Sequence, residues 1–110
     1  MIIVINREGL DAPVTAPSGE LAWSTSAVNQ IMQQALDNDW IVLGGDVTTA
    51  SGQYTYDNWY YNPSPYLSAK DNVASSVTKC LNYINSYNYR NENSFYYVLV
   101  MKPANECFVF

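Results

Sequence analysis

The chain has 110 residues, of which 48% are hydrophobic and 14% charged, and its net charge at pH 7 is −5. This length is typical of one domain with one core, so we expect a single domain over residues 1–110 that needs no disulfide or metal ion to fold. The acidic balance disfavours nucleic-acid phosphates and acidic membranes as partners and favours a cationic one.

The expected compartment and cysteine chemistry follow from the same sequence. No basic segment leads into an apolar core at the N-terminus, and no run approaches the roughly 20 apolar residues of a membrane-spanning helix. We therefore expect a cytoplasmic protein. Cys80 and Cys107 fall in a predicted helix and a predicted strand. A domain of this size does not depend on a disulfide, so we expect both thiols to be free.

The N-terminal part of the chain is predicted as a strand followed by a long loop. β-Branched residues dominate residues 1–5, which is typical of a strand. Residues 6–24 are rich in Gly, Pro, Ser, Thr and Asp, and Pro13 and Pro17 exclude a helix through the middle. Trp23, near the end of this loop, is expected to pack the loop onto the core rather than to contact a ligand.

A first helix is predicted to begin at one of the hydroxyl residues at 24–26 and to end near Asn38. Apolar residues recur at helical spacing, and the opposite face is polar and uncharged, as in a helix that lies on a sheet. The predicted buried face consists of Val28, Ile31, Met32, Ala35 and Leu36. Asp37 and Asp39 follow at the negative end of the helix dipole. They are either solvated turn residues or an acidic rim for a basic ligand.

A hairpin is predicted in the middle of the chain. An apolar strand at residues 40–43 and an aromatic strand at residues 53–61 are separated by a polar turn that contains glycine. Gly44 and Gly45 predict a bulge that re-aims Asp46.

Alternation divides the aromatic strand into two faces. It places Tyr54, Tyr56, Asn58 and Tyr60 on one face and Thr55, Asp57, Trp59 and Tyr61 on the other. One face must be directed to the core, with Trp59 as a candidate anchor, so the two sets cannot all be recognition residues.

A second helix is predicted after a rigid, proline-containing connection at residues 62–66. It begins at Ser68, with Asp71 in the position that completes a capping box. The predicted buried stripe consists of Ala69, Val73, Val77, Cys80, Ile84 and Tyr87, widened by Leu81. Residues 85–94 are predicted as a polar turn region.

The C-terminal part is predicted as a central strand at residues 95–101, a turn at 102–104 and a short strand at 106–110. The order of elements is neither an alternating parallel pattern nor an all-β one, so we expect an α+β fold. We expect a mixed or mainly antiparallel sheet of about four to five strands, with two helices packed on one face and the other face free for aromatic residues.

The sequence contains few residues in patterns suited to catalysis. It contains no histidine, the commonest general base and metal ligand, and no feature near either cysteine that would clearly lower its pKa. Asp46 and Asp57 would form a carboxylate pair only if the hairpin brought them face to face across its turn. Asp37, Asp39 and Asp46 lack the spacing of a calcium loop. We therefore expect no enzymatic activity, no cofactor and no metal, and a small carboxylate enzyme remains the least favoured alternative.

Two motifs carry a resemblance to a known family. LGGDV at residues 43–47 followed by YTYDNWYYN at residues 54–62 is similar to the signature of immunity protein family forty, a family of small bacterial immunity proteins. SVTKCLNYINSY at residues 76–87 and FYYVLV at residues 95–100 also resemble that family, so the likeness covers roughly residues 40–101. The resemblance implies a protein that neutralises the toxin domain of a polymorphic or contact-dependent growth inhibition system and so protects the producing cell and its siblings.

The expected partner is therefore a cognate toxin C-terminal domain of basic charge, with a nuclease as one candidate, and not a nucleic acid or a membrane. The residues expected to form or support the binding face are Asp37, Asp39, Asp46, Tyr54, Tyr56, Asp57, Asn58 and Trp59. The alternative is a carbohydrate-binding module, in which Trp59 and the tyrosines stack on sugar rings while Asp57 and Asn58 donate and accept hydrogen bonds.

Overall fold

The computed structural model describes residues 3–90 and 94–107, which form two helices and a five-stranded antiparallel sheet. The elements are β1 (Val14–Thr15), β2 (Leu21–Ser24), α1 (Thr25–Asn38), β3 (Trp40–Thr49), β4 (Tyr54–Tyr60), α2 (Ala69–Arg90) and β5 (Phe95–Pro103), followed by a 3-10 helix (Ala104–Glu106). The strand order is β1-β2-β5-β3-β4. The predicted α+β class and the central position of β5 are confirmed, and β1 and β4 form the two edges of the sheet.

Helix α1 begins and ends close to the predicted positions. Ser24 caps its first turn, since the Ser24 Oγ accepts a hydrogen bond from the Ala27 N–H at 3.2 Å. Asp39, rather than Asn38, takes the left-handed conformation that ends the helix. Four of the five predicted core residues are buried, but Leu36 is 41% exposed. That prediction is wrong because Leu36 lies about 100° further round the helix than Ala35, beyond the margin of the buried face.

Helix α2 is longer than predicted. Its first turn is capped as expected, with the Asp71 N–H donating to the Ser68 Oγ at 3.1 Å. It continues to Arg90, so the prediction of a polar turn from residue 85 is wrong as far as residue 90. Tertiary contacts outweigh the weak helix propensity of this stretch, because Tyr87 is buried and Asn88 bonds to other elements. Residues 91–93 lie outside the described residues.

The predicted buried stripe of α2 is confirmed at Val73, Val77, Cys80, Ile84 and Tyr87, while Leu81 is half-buried and Ala69 is exposed. Cys80 and Cys107 are free thiols, as predicted. Within the described residues, neither α1 nor α2 combines the length and the hydropathy that crossing a membrane requires.

The two ends of the chain differ from the prediction. Residues 3–5 are not in a strand, and residues 1 and 2 lie outside the described residues. The segment instead lies along α1, where the Asn6 N–H donates to the Gln34 Oε1 at 2.9 Å and the Gln34 Nε2 donates to the Asn6 carbonyl at 2.7 Å. At the other end, Glu106 is in the 3-10 helix and Cys107 follows it, so the predicted last strand is wrong there; residues 108–110 lie outside the described residues.

Residues 6–24, predicted as a loop, contain β1 and β2. Both strands are short, and β2 exists because it pairs with the central strand, Ala22 opposite Val98 and Trp23 opposite Tyr97. Trp23 is buried in the core, as predicted, although it lies on a strand rather than in a loop.

The main core lies between the two helices and one face of the sheet. A second, smaller cluster covers part of the opposite face: Ala16, Ala22 and Val98 are buried there, with Tyr54 and Tyr96 packed against them. The sequence predicts a free face opposite the helices, but this cluster covers part of that face. Its open part lies around Asp46, Asn58, Tyr60 and Val100.

Candidate functional site

The two halves of the sequence signature are strand partners. In the β3–β4 hairpin, Gly44 lies opposite Tyr60, Gly45 opposite Trp59, and Asp46 opposite Asn58. The glycines of LGGDV thus face the aromatic residues of YTYDNWYYN across the ladder. The spacing between the two motifs is set by strand pairing, so a large part of the signature specifies the fold of this hairpin.

Gly45 makes room for Trp59. A Cβ atom at Gly45 would lie within 3.0 Å of both the Val98 carbonyl oxygen and the Trp59 ring. Gly44 has a φ of 148°, in the region that favours glycine, and a Cβ there would meet the Trp59 carbonyl oxygen. The register against β5 shifts between Val42 and Gly44, which is the bulge that the glycines predict. The Val42 N–H donates instead to the Ser76 Oγ on α2, at 2.9 Å.

Trp59 is a core residue. Its side chain is 6% exposed, and its ring stacks on the Tyr83 ring of α2 at 4.8 Å between centroids. The Tyr83 ring stacks in turn on the Tyr87 ring at 6.0 Å, and Tyr87 packs edge-on against Phe95 at 5.0 Å. This aromatic stack joins β4 to α2 and β5. The structure thus places Trp59 as the anchor of β4, on the core-directed face of the predicted alternation.

Asp46 and Asp57 lie on opposite sides of the hairpin. Asp57 reaches towards the helices, since its Oδ2 accepts a hydrogen bond from the Tyr87 hydroxyl at 2.8 Å. Asp46 lies opposite Asn58 and Val98, and residues paired across a ladder point to the same face, which here is the open one. The two carboxylates therefore do not face each other across the turn, because the register pairs Asp46 with Asn58 instead.

Tyr54 and Tyr56 differ in their surroundings. Tyr54 is half-buried, and its hydroxyl donates to the Ser18 Oγ at 2.8 Å. Tyr56 is 90% exposed and has a φ of 70°, which is rare for a residue other than glycine. It lies where β4 bulges, between the Asp46–Asn58 and Thr48–Tyr54 pairs. The bulge points the Tyr56 ring into solvent.

Asp37 and Asp39 lie at the far end of the hairpin. Both are exposed; the Asp37 Oδ1 accepts from the Gln33 Nε2 at 3.0 Å, and Asp39 precedes the first residue of β3. Six residues of β3 lie between Asp39 and Asp46, which corresponds to a separation of roughly 20 Å. The structure therefore groups Asp46, Asn58, Tyr56 and Asp57 around β4 but does not bring Asp37 and Asp39 to them.

Two exposed tyrosines near this group were not among the predicted site residues. Tyr60 is 65% exposed on the open face, and Tyr66 is 94% exposed in the loop that follows β4. This loop is fixed by the buried Asn72, whose Oδ1 accepts from the Tyr61 hydroxyl and the Ser64 N–H while its Nδ2 donates to the Ser64 carbonyl. The alternation along β4 already indicated the outward position of Tyr60. The prolines on either side of Ser64 indicated a rigid loop, but not its anchor.

A partly buried polar network lies beside the aromatic stack. The Tyr97 hydroxyl donates to the Asn88 Oδ1 at 2.8 Å, and the Asn88 Nδ2 donates to the Thr25 Oγ1. The network ties β5 and α2 to the first turn of α1. Burial raises the pKa of Tyr97 to about 12.

This raised pKa predicts alkaline destabilisation. The folded state keeps the Tyr97 proton between its ordinary pKa of 10.0 and about 12, whereas the unfolded state loses it. The free energy of unfolding should therefore fall through this pH window, by at most about 1.4 kcal/mol per pH unit from this residue. Denaturant titrations at pH values from 8 upwards, spaced by about one pH unit, measure how the free energy of unfolding changes with pH. The free energy of unfolding of Tyr97→Phe should depend less on pH in this window than that of the unchanged chain. Equal slopes for the two proteins would contradict a raised pKa at Tyr97.

The site offers no activated thiol and no clustered metal ligands within the residues that the structure describes. Burial raises the pKa of Cys80 to about 12 and also raises the pKa of Cys107, so both thiols are protonated at neutral pH. In residues 3–90 and 94–107, no three His, Cys, Asp or Glu side chains come together as a metal site would require. What the hairpin presents is a surface of exposed tyrosines, amides and carboxylates.

Comparison with known proteins identifies the family. No curated protein and no solved structure shows significant similarity to the chain. The family model described as Immunity protein 40 matches residues 12–101, which include both helices and all five strands except the end of β5. The chain therefore belongs to the Immunity protein 40 family.

Proposed function

We propose that this protein binds and neutralises a cognate toxin domain in the cytoplasm, as a non-enzymatic inhibitor, and so protects the producing cell and its siblings from a contact-dependent or polymorphic toxin system. The single observation that carries this proposal is the family match over residues 12–101. The absence of histidine and the protonated state of Cys80 agree with inhibition by binding.

The proposed binding surface is centred on β4. Tyr56 and Asn58 are exposed there, Asp57 borders them, and Asp46 lies beside Asn58 on the open face. Tyrosines at protein interfaces supply a large contact area with little loss of side-chain entropy. Tyr54 and Trp59 hold β4 from its two faces, Tyr54 through Ser18 on the side opposite the helices and Trp59 through the aromatic stack on the helix side. Asp37 and Asp39 form an acidic rim at the far end of β3.

The charge of this surface favours a basic toxin. Residues 40–69 contain two carboxylates, Asp46 and Asp57, and neither lysine nor arginine. Together with the net charge of −5, these carboxylates would steer a cationic domain towards β4 and repel an anionic one. A toxin nuclease is one candidate, because a surface that binds nucleic acid is itself basic.

Tyr56 provides a sharp test of the surface. We expect Tyr56→Gly to weaken toxin binding by about 2 kcal/mol, roughly 30-fold in Kd, because an exposed aromatic anchor is lost. We expect stability not to fall, since glycine adopts a φ of 70° without strain. Titration calorimetry and thermal unfolding of the same samples measure the two effects.

The matched control is Tyr89→Ala, because Tyr89 is a similarly exposed tyrosine on α2. Alanine replaces glycine here because glycine would destabilise the helix. This variant should bind the toxin as the unchanged chain does. Loss of stability without loss of affinity in Tyr56→Gly would show that the ring serves the fold and not the partner.

Co-expression tests the function itself. The first step determines whether the gene immediately upstream encodes a large secreted protein with a toxic C-terminal domain. That domain is then produced in a sensitive bacterium with or without this chain. Growth should be restored only when the chain is present. A chain that accumulates in folded form without restoring growth would rule out neutralisation of that toxin.

The carbohydrate-binding alternative loses its main support. It relied on Trp59 together with the tyrosines to stack on sugar rings, whereas Trp59 is packed against Tyr83 in the core. We therefore propose toxin binding alone.

A further inference from the structure

The outer side of β4 is a sheet edge. Within the part of the chain that the structure describes, β4 is paired on one side alone, with β3, at the end of the strand order β1-β2-β5-β3-β4. Asp57, Asn58 and Tyr60 are exposed along this edge. An exposed edge strand offers backbone donors and acceptors to another extended chain.

The ladder geometry shows which backbone groups point outwards. The Tyr61 N–H donates to the Leu43 carbonyl at 2.9 Å, so residues 43 and 61 form a hydrogen-bonded pair. Hydrogen-bonded and non-hydrogen-bonded pairs alternate in an antiparallel ladder, so Gly45 and Trp59 are also a hydrogen-bonded pair. Asn58 and Tyr60 belong to the alternate pairs, and their N–H and C=O groups point away from β3. Among the turn and loop hydrogen bonds of the described residues, none uses the Asn58 or Tyr60 N–H.

The edge is limited at both ends and is bordered by exposed aromatic rings. The bulge at Tyr56 ends the regular ladder on one side, and Pro63 ends it on the other. Tyr56 and Tyr60 of β4 are among the most exposed large side chains of the described chain, as is Tyr66 in the loop that follows the strand. This places about four residues of backbone, 58–61, between side chains suited to protein contact.

We propose that this edge binds an extended segment of the toxin, which adds to the sheet as a sixth strand alongside β4. The inference rests on the proposed function and specifies how the partner is held. Backbone pairing supplies affinity, while the side chains at the ends of the edge select the partner. Two carboxylates, Asp46 and Asp57, lie on the hairpin, and one cation, Lys79 of α2, lies over the Tyr60 ring at 5.1 Å. The carboxylates outnumber this cation, so the segment that the edge favours is cationic. A second copy of this chain would carry the same net charge of −5, which opposes self-pairing.

Amide hydrogen exchange tests the proposal. The probe is the purified C-terminal domain of the toxin encoded immediately upstream, mixed with the full chain. In the free protein, the Asn58 and Tyr60 amides should exchange rapidly and the Trp59 amide slowly. In the complex, we expect at least about tenfold slower exchange at Asn58 and Tyr60.

A pair of variants at Tyr60 separates the contribution of the backbone N–H to toxin binding from that of the side chain. Tyr60→Pro removes the outward N–H, which β3 does not use, and Tyr60→Thr removes only the ring. Tyr60→Pro should weaken binding at least about tenfold more than Tyr60→Thr, with similar thermal unfolding of the two variants. Where Tyr60→Pro proves unstable, the exchange measurement on the unchanged chain decides alone.

The outcomes distinguish this inference from the function on which it rests. A complex in which both amides still exchange rapidly would overturn the edge pairing and leave neutralisation intact. Failure to form any complex would overturn both. Protection of the same amides in the toxin-free protein that increases with its concentration would assign the edge to a second copy and also overturn the proposal.

Discussion

Gly45→Ala should cost at least about 4 kcal/mol of stability, a large part of the 5–15 kcal/mol that holds a typical domain together. The added Cβ would lie within 3.0 Å of the Val98 carbonyl oxygen, which belongs to the backbone of the central strand, and of the Trp59 ring. Moving the ring would disturb its stacking on Tyr83, and moving the carbonyl would disturb the β3–β5 ladder. Chemical denaturation of the variant measures the loss.

Gly19→Ala is the matched control. Its Cβ would meet nothing within 4 Å, and its cost arises only from a φ of 88°. Such a conformation costs an alanine about 1 kcal/mol, so this variant should remain folded. If Gly45→Ala and Gly19→Ala were equally stable, Gly45 would not be the residue that makes room for Trp59.

Reversal of charge at Asp46 and Asp57 should have the largest effect on toxin binding. We expect Asp46→Lys with Asp57→Lys to weaken the complex by about 2–5 kcal/mol, because both carboxylates border the proposed surface and face a cationic partner. Glu8→Lys, at an exposed position outside that surface, makes the same change in net charge as Asp46→Lys or Asp57→Lys alone. This control should lose much less affinity.

Single charge reversals show which side of the hairpin contacts the toxin, because Asp46 lies on the open face and Asp57 on the helix side. Asp57→Asn keeps an oxygen that accepts from the Tyr87 hydroxyl and so separates the effect of charge from that of the aromatic stack. Calorimetric titration of each folded variant measures the affinities. Unchanged affinity in the folded double variant would remove Asp46 and Asp57 from the site while leaving the function open.

Local signals were sufficient to predict the helices, the central strand and the hairpin. Ser24 and Ser68 cap the helices as their positions suggest, and the alternation along β4 correctly separates Trp59 from Asn58 and Tyr60. Strand β2 was missed because it depends on pairing with β5, which lies more than seventy residues later in the chain. The last six residues of α2, 85–90, were missed because Tyr87 and Asn88 are fixed by residues of other elements.

The candidate site depends on register, which the sequence does not show. Asp46 and Asp57 could be expected to meet across the turn, but the register that pairs Gly44 with Tyr60 also pairs Asp46 with Asn58. Asp57, the neighbour of Asn58, therefore points to the other side of the hairpin. In the same way, Asp39 is close to the hairpin in sequence, yet the length of β3 places it at the far end.

Direct titration of this chain into the toxin domain encoded immediately upstream tests the central claim, with toxin activity measured across the same titration. The account predicts a saturable complex and a loss of toxin activity that parallels its formation. Retention of full toxin activity and no detectable binding, with a chain that is folded by circular dichroism, would contradict it.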